Sequence, residues 1–221
     1  MADDYGKIIT PNGYVYDYET IYEKIKKNIK NFNKLKYKKL KFLGVNPFDL
    51  FQLETFLKEN EIKNVLELGS GTTSKFLDVL GIKRKSFALE SIYFSDLEFE
   101  KIDLYESYNL VQDFLNQNNV DFILIDCEHS IAMADLIYNN ILKYVDFKTP
   151  IFIHDWFDFG KLTYSEQVFY YDNLFNHYDL HIMSDLPSKY VDKLNNLGTT
   201  IDSKCHVPRC CAILTPKEWK M

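Results

Sequence analysis

The chain has 221 residues, 46% of them hydrophobic and 16% aromatic, enough for one well-buried core and, by length, one domain with a terminal extension. Its formal net charge of -6 argues against any global attraction to nucleic acid, and no apolar run reaches the length of a membrane span. The opening residues MADDYGKIITPNG lack the basic start and apolar stretch of a secretory signal, so the expectation is a cytoplasmic protein with no membrane and no nucleic-acid partner.

Residues 1–18 are rich in Tyr and in Gly, Pro and Asn turn formers, and read as an irregular arm. Residues 19–41 read as an amphipathic helix with Ile21, Ile25, Ile29 and Phe32 turned inward. The Lys-dense stretch 24–41 is its solvated face, with docking of an acidic or phosphorylated partner as the alternative. A second helix starts at Asn46, which caps, and Pro47, which suits a first turn; Phe48, Phe51, Phe56 and Leu57 follow at helical spacing, and it ends near Glu59 and Asn60.

Beyond residue 60 the pattern changes to short apolar strands alternating with helices. Strands are predicted at 64–68, 86–90, 99–105, 121–126, 150–155, 178–183 and 210–215. Helices are predicted at 74–81, 107–117, 131–145 and 165–176, and 184–209 forms a long polar loop. Continuous apolar strands between helices imply an α/β fold with a mostly parallel sheet covered on both faces. The last two strands, with no clear helix between them, suggest an antiparallel edge strand.

The chemistry-bearing segment is VLELGSGTTS, residues 65–74. A buried strand carries the acid Glu67 and then turns through Gly69 and Gly71 into a helix. Glycines let a ligand approach the backbone, and a helix N-terminus offers free N–H groups and the positive end of a dipole. Ser70, Thr72, Thr73 and Ser74 add hydroxyl donors. Glu90 closes the next strand, where nucleotide-binding α/β folds place the carboxylate that grips ribose hydroxyls. Asp126, Glu128, His129, His154 and Asp155 fall at or just past the carboxyl ends of further strands, the ligand-binding edge of such sheets.

Glu67, Gly69 and Gly71, spaced E-x-G-x-G, resemble motif I of the class I S-adenosylmethionine-dependent methyltransferases. DFILIDCEHS at 121–130 and IFIHDW at 151–156 resemble the small-molecule group of that family, with its strand-four I-D-x-x-H-S and strand-five H-D-W patterns. The resemblance runs from about Asn64 to Gly160. It implies a Rossmann-like domain at 61–221 preceded by an N-terminal arm and helical cap at 1–60. It also implies S-adenosylmethionine as cofactor, with Glu67, Gly69, Ser70, Gly71 and Ser74 around the methionine moiety, Glu90 on the ribose and Asp126 beside the cofactor. The short stretch between Glu90 and Asp121 departs from the family and leaves the adenine contacts unassigned.

The expected reaction is methyl transfer to a small molecule, with a hydroxyl of a sugar or secondary metabolite as acceptor. His154 is the first candidate base, oriented by Asp155 or Asp126, and His129 is the second. A variant uses Mg²⁺ held by Asp126 and Asp155 with Glu128 or His154 nearby. The Tyr-rich N-terminal arm suits a lid, core packing or a homo-oligomer contact, and Trp156, Phe157 and Phe159 a substrate wall or loop anchors. Cys205, His206, Cys210 and Cys211 cluster, but at no spacing of a common zinc module. The competing readings are an NAD(P)-dependent oxidoreductase, disfavoured because Ser74 stands where G-x-G-x-x-G needs a third glycine, and a non-catalytic S-adenosylmethionine-binding module.

Overall fold

A computed structural model describes residues 7–9, 15–32, 47–91, 94–128, 130–157, 173–183, 188–197 and 210–219. Strands β1 (Lys7–Ile9) and β2 (Val15–Asp17) pair antiparallel as a small hairpin, where the sequence suggested an irregular arm. Helix α1 (Tyr18–Asn28) follows and ends in a 3₁₀ turn at Ile29–Asn31. Its inward stripe is as expected: Ile21, Ile25 and Ile29 are buried and Phe32 packs against the core. The rest of the predicted helix, 33–41, lies outside the described residues.

Helix α2 (Pro47–Glu59) leads into β3 (Asn64–Leu68), α3 (Thr72–Leu80) and β4 (Lys83–Ala88). Then come β5 (Glu100–Lys101), α4 (Leu104–Gln117), β6 (Phe122–Ile125), α5 (Ile131–Ile137) and β7 (Ile151–Phe157). A π-helical turn, Tyr138–Leu142, extends α5. The chain finishes with β8 (Tyr178–Met183), α6 (Ser188–Asn195) and β9 (Cys210–Pro216). Helix α6 occupies part of what reads as a polar loop.

The main sheet has seven strands in the order β5-β4-β3-β6-β7-β9-β8. Pairs β5–β4, β4–β3, β3–β6 and β6–β7 are parallel, whereas β9 runs antiparallel to both β7 and β8. The reversed strand therefore sits one place inside the edge. Short parallel connections demand right-handed crossovers, which place α3 on one face and α4 and α5 on the other. Ring contacts agree with that arrangement. Phe56 of α2 meets Phe122 of β6 at 5.5 Å, and Phe114 of α4 meets Phe87 of β4 at 5.9 Å. Strands β3 and β6 are apolar and buried along nearly their whole length, as a doubly covered parallel sheet requires.

Two of the shifts in strand boundaries relative to the sequence reading have a bearing on the site. The third parallel strand shrinks to Glu100–Lys101, because Asp103 caps α4 by accepting the Tyr105 N–H at 2.9 Å and pulls Leu104 and Tyr105 into the helix. Strand β4 ends at Ala88, so Glu90 stands beyond it on an exposed turn rather than closing it.

The edge is tied to the core by Tyr178, whose buried hydroxyl donates to the Thr149 carbonyl at 3.1 Å. Tyr178→Phe removes that bond and orphans the carbonyl. It is expected to cost about 1 kcal/mol, read as a lower midpoint at unchanged slope in urea denaturation.

Candidate active site

The sheet changes winding direction between β3 and β6, because the chain leaves β3 toward β4 on one side and returns to β6 on the other. Open α/β sheets bind ligands at the carboxyl end of such a switch point. The β3–α3 corner stands there. Gly69 has φ +110°, and a Cβ on it would lie 2.0 Å from the Asp126 carbonyl oxygen. No side chain fits. The close approach is held by hydrogen bonds on both sides: Gly69 N–H donates to the Phe87 carbonyl and Asp126 N–H to the Leu68 carbonyl, each at 2.8 Å.

Gly71 differs. Its φ of -175° is extended backbone open to any residue, and a Cβ there would meet nothing within 4 Å. The fold does not require this glycine. Its absent side chain leaves open space over the first turn of α3, where N–H groups face outward.

Beneath the corner lies Glu67, fully buried. Ser74 Oγ stands 2.8 Å from both of its carboxylate oxygens, Thr73 Oγ1 lies 3.0 Å from Oε1, and the Ser86 hydroxyl donates to Oε2. Ser74 Oγ also accepts the Gly71 N–H at 2.9 Å, so one hydroxyl joins the acid to the helix start. Behind Ser86, the buried Arg84 guanidinium forks onto Asp78 at 2.8 and 2.9 Å and stands 3.7 Å from Glu67 Oε2. Burial pushes the Glu67 carboxyl up to about 7, against the opposing pull of the serine hydroxyls and Arg84.

Thr73 Oγ1 also stands 3.0 Å from Asp126 Oδ2, and Asp126 Oδ1 lies 2.9 Å from His154 Nδ1, with the carboxylate out of line with the ring N–H bond. His154 is buried midway along β7. The structure thus gathers Glu67, Gly69, Ser70, Gly71, Ser74, Asp126 and His154 around one corner. Ser70 is half-buried, 3.5 Å from Ser74 Oγ. Glu90 is exposed, beyond the end of the neighbouring strand. His129 and the side chain of Asp155 lie outside the described residues.

Three participants have no motif to announce them. Ser86 pairs in register with Glu67 across β3 and β4, a relation that neither strand shows by itself. Arg84, two residues earlier on the same face and between two lysines, stands out no more. Tyr105 reaches across the rim from α4, 3.2 Å from Glu128 Oε1 and 3.1 Å from the Ser130 hydroxyl, and only the tertiary structure brings these together.

Small residues, outward N–H groups and open space over Gly71 fit the amino acid end of an S-adenosyl cofactor. Of the residues expected to hold a divalent ion, Asp155 has a side chain outside the described residues. Asp126 is already engaged with Thr73 and His154, and no group of three His, Cys, Asp or Glu side chains comes together among the described residues. No helix among them is long and apolar enough to cross a membrane.

No family model and no curated protein matches the chain. Solved structures do. A protein from Staphylococcus aureus assigned as a caffeoyl-CoA O-methyltransferase superposes with a TM-score of 0.50 at 10% identity, over 90% of this chain and 92% of that one. The fold is that of a class I methyltransferase. A SAM-dependent methyltransferase from Archaeoglobus fulgidus shares 14% identity at a TM-score of 0.44, covering 80% of this chain and 96% of that one. MycE of mycinamycin biosynthesis, solved with Mg and SAH, shares 14% identity at a TM-score of 0.40, covering 52% of this chain. The chain spans 34% and 56% of the length of two MycE structures, so that protein's own activity does not carry over.

Two substitutions test the glycine corner. Gly69→Ala drives a methyl group into the Asp126 carbonyl at a positive φ, and is expected to destabilise the fold by about 3 kcal/mol or more in chemical denaturation. Glu67 holds its proton more tightly folded than unfolded. Its contribution to stability is therefore full below about pH 4.5 and falls as pH rises to about 7, by roughly 3 kcal/mol. Denaturation midpoints of Glu67→Gln should lack that decline across the same window.

Proposed function

We propose that this chain binds S-adenosylmethionine at the β3–α3 corner and transfers its methyl group to a small molecule, with a hydroxyl of a sugar or secondary metabolite as the acceptor. The observation that carries the reading is Gly71. Packing explains Gly69 but not Gly71, and a ligand seated at the helix N-terminus would use the space that its missing side chain leaves. The motif I resemblance and the shared fold support the same reading.

In this reading Gly69, Ser70, Gly71 and Ser74 hold the methionine end and Glu67 braces them from below. Glu90, one strand away, takes the ribose hydroxyls, and Asp126 flanks the cofactor between β3 and β6. Residues 1–60 form an arm and cap over the domain at 61–221. When bound, the cofactor supplies a methyl group already activated by its sulfonium. What remains for the chain is to hold the acceptor in line and remove its proton. His154 takes that proton, with Asp126 stabilising the imidazolium. Asp155 and His129 are the further candidates at this edge. The NAD(P) alternative is not favoured: the residue in place of the third glycine, Ser74, is the one whose hydroxyl ties Gly71 to Glu67.

Calorimetric titration with S-adenosylhomocysteine tests the reading. The wild-type protein should bind. Gly71→Leu should keep its denaturation midpoint yet lose at least about tenfold in affinity, some 1.4 kcal/mol. Absence of binding by both S-adenosylmethionine and S-adenosylhomocysteine would sink the proposal. Once an acceptor is in hand, His154→Ala should lower kcat by about 100-fold or more without weakening cofactor binding, and turnover should survive a chelator.

A further inference from the structure

A line of polar side chains runs from the floor of the glycine corner to the middle of β7: Glu67, Thr73, Asp126, His154. Thr73 is wholly buried, and its hydroxyl lies at the same 3.0 Å from Glu67 Oε1 and from Asp126 Oδ2. A hydroxyl has one proton to donate. Glu67 already receives the hydroxyls of Ser74 and Ser86. Asp126, by contrast, stands at the open edge of the sheet with its side chain partly exposed.

From this arrangement we propose that Thr73 is a positioning residue for His154. It gives its proton to Asp126 Oδ2, sets the rotation of that carboxylate so that Oδ1 faces Nδ1 of the imidazole, and so holds the neutral ring in the Nδ1–H form.

The physical reason is short range. A carboxylate oxygen 2.9 Å from a ring nitrogen tolerates a proton on that nitrogen and repels a lone pair. The oxygen need not lie on the N–H axis for that preference to act. A neutral imidazole carries one proton, so placing it on Nδ1 leaves the lone pair on Nε2. Nε2 is then the atom that can accept a proton from a substrate hydroxyl, and in that catalytic sense the inference rests on the function proposed above. Thr73 is the second residue of α3, so its hydroxyl is fixed by the same helix start that forms the glycine corner. One short element would thus place the cofactor and orient the base.

The tautomer of His154 can be read without cofactor or substrate. Long-range proton–nitrogen correlation spectra of the ¹⁵N-labelled full chain would be recorded about two units above the ordinary histidine pKa, where the rings are neutral. His154→Gln identifies the resonances among the five histidines. The wild type should show a pyrrole-type Nδ1 and a pyridine-type Nε2 for His154. Thr73→Val, which keeps shape and removes the donor, should lose that single form to the Nε2–H tautomer or an averaged mixture, and Thr73→Ser should restore it. Thr73→Ala serves the same purpose should the valine variant fail to fold. A wild-type ring in the Nε2–H form, or an intact Nδ1–H ring in a folded valine or alanine variant, overturns the proposal. Failure to bind S-adenosylhomocysteine would overturn the methyltransferase reading instead, and leaves this tautomer measurement unaffected.

Discussion

The arrangement depends on a gap between two strand ends that admits backbone and nothing more. Gly69 and the Asp126 carbonyl meet there at a distance that a single methyl group would violate. Because the chain passes so close, the β3–α3 turn lies directly against the end of β6 rather than arching over it. That proximity points α3 across the switch point and brings Thr73 within reach of Asp126. A wider turn would leave the same residues in the sequence and dissolve the network. The backbone bonds from Gly69 to Phe87 and from Asp126 to Leu68 show the gap being held from both neighbouring strands.

Within this frame, an acid with no access to solvent looks like a liability, and its raised pKa measures that cost. What it brings is geometric. Its two oxygens gather hydroxyls from the helix start and from β4, and a serine among them carries the connection on to the Gly71 amide. Buried polar groups that are fully served in this way fix one arrangement of neighbouring loops where apolar packing would allow several. Arg84, itself clamped on Asp78 of α3, closes the cluster on the far side and ties β4 to that helix.

Much of this was legible in the amino acids. Apolar strands alternating with amphipathic helices implied a parallel sheet, and the E-x-G-x-G spacing located the corner, because these features are local and their periods are fixed by geometry. What escaped was decided elsewhere. Leu104 and Tyr105 read as strand because they are apolar and aromatic, and the cap at Asp103 overrode that preference. Ser86 and Arg84 gain their meaning from register with Glu67, which no single strand reveals. The reversed strand was visible as an anomaly in the pattern, but its place between β7 and β8 follows from pairing across a long connection. Gly69 and Gly71 look alike in sequence. Only the surrounding atoms separate a glycine the fold demands from one it does not.

The position of β9 has a consequence for how the protein comes into being. The penultimate place in the sheet is filled by residues Cys210–Pro216, which come later in the chain than both strands they pair with. Until they emerge, β7 presents a bare, apolar flank, and β8 has no partner in the main sheet to pair with. Between the synthesis of β7 and that of β9 the nascent chain therefore carries an unpaired strand edge, the kind of surface on which chains cross-pair and aggregate. Assembly of the sheet is then a closing step, in which β9 pairs with β7 and brings β8 in as the edge.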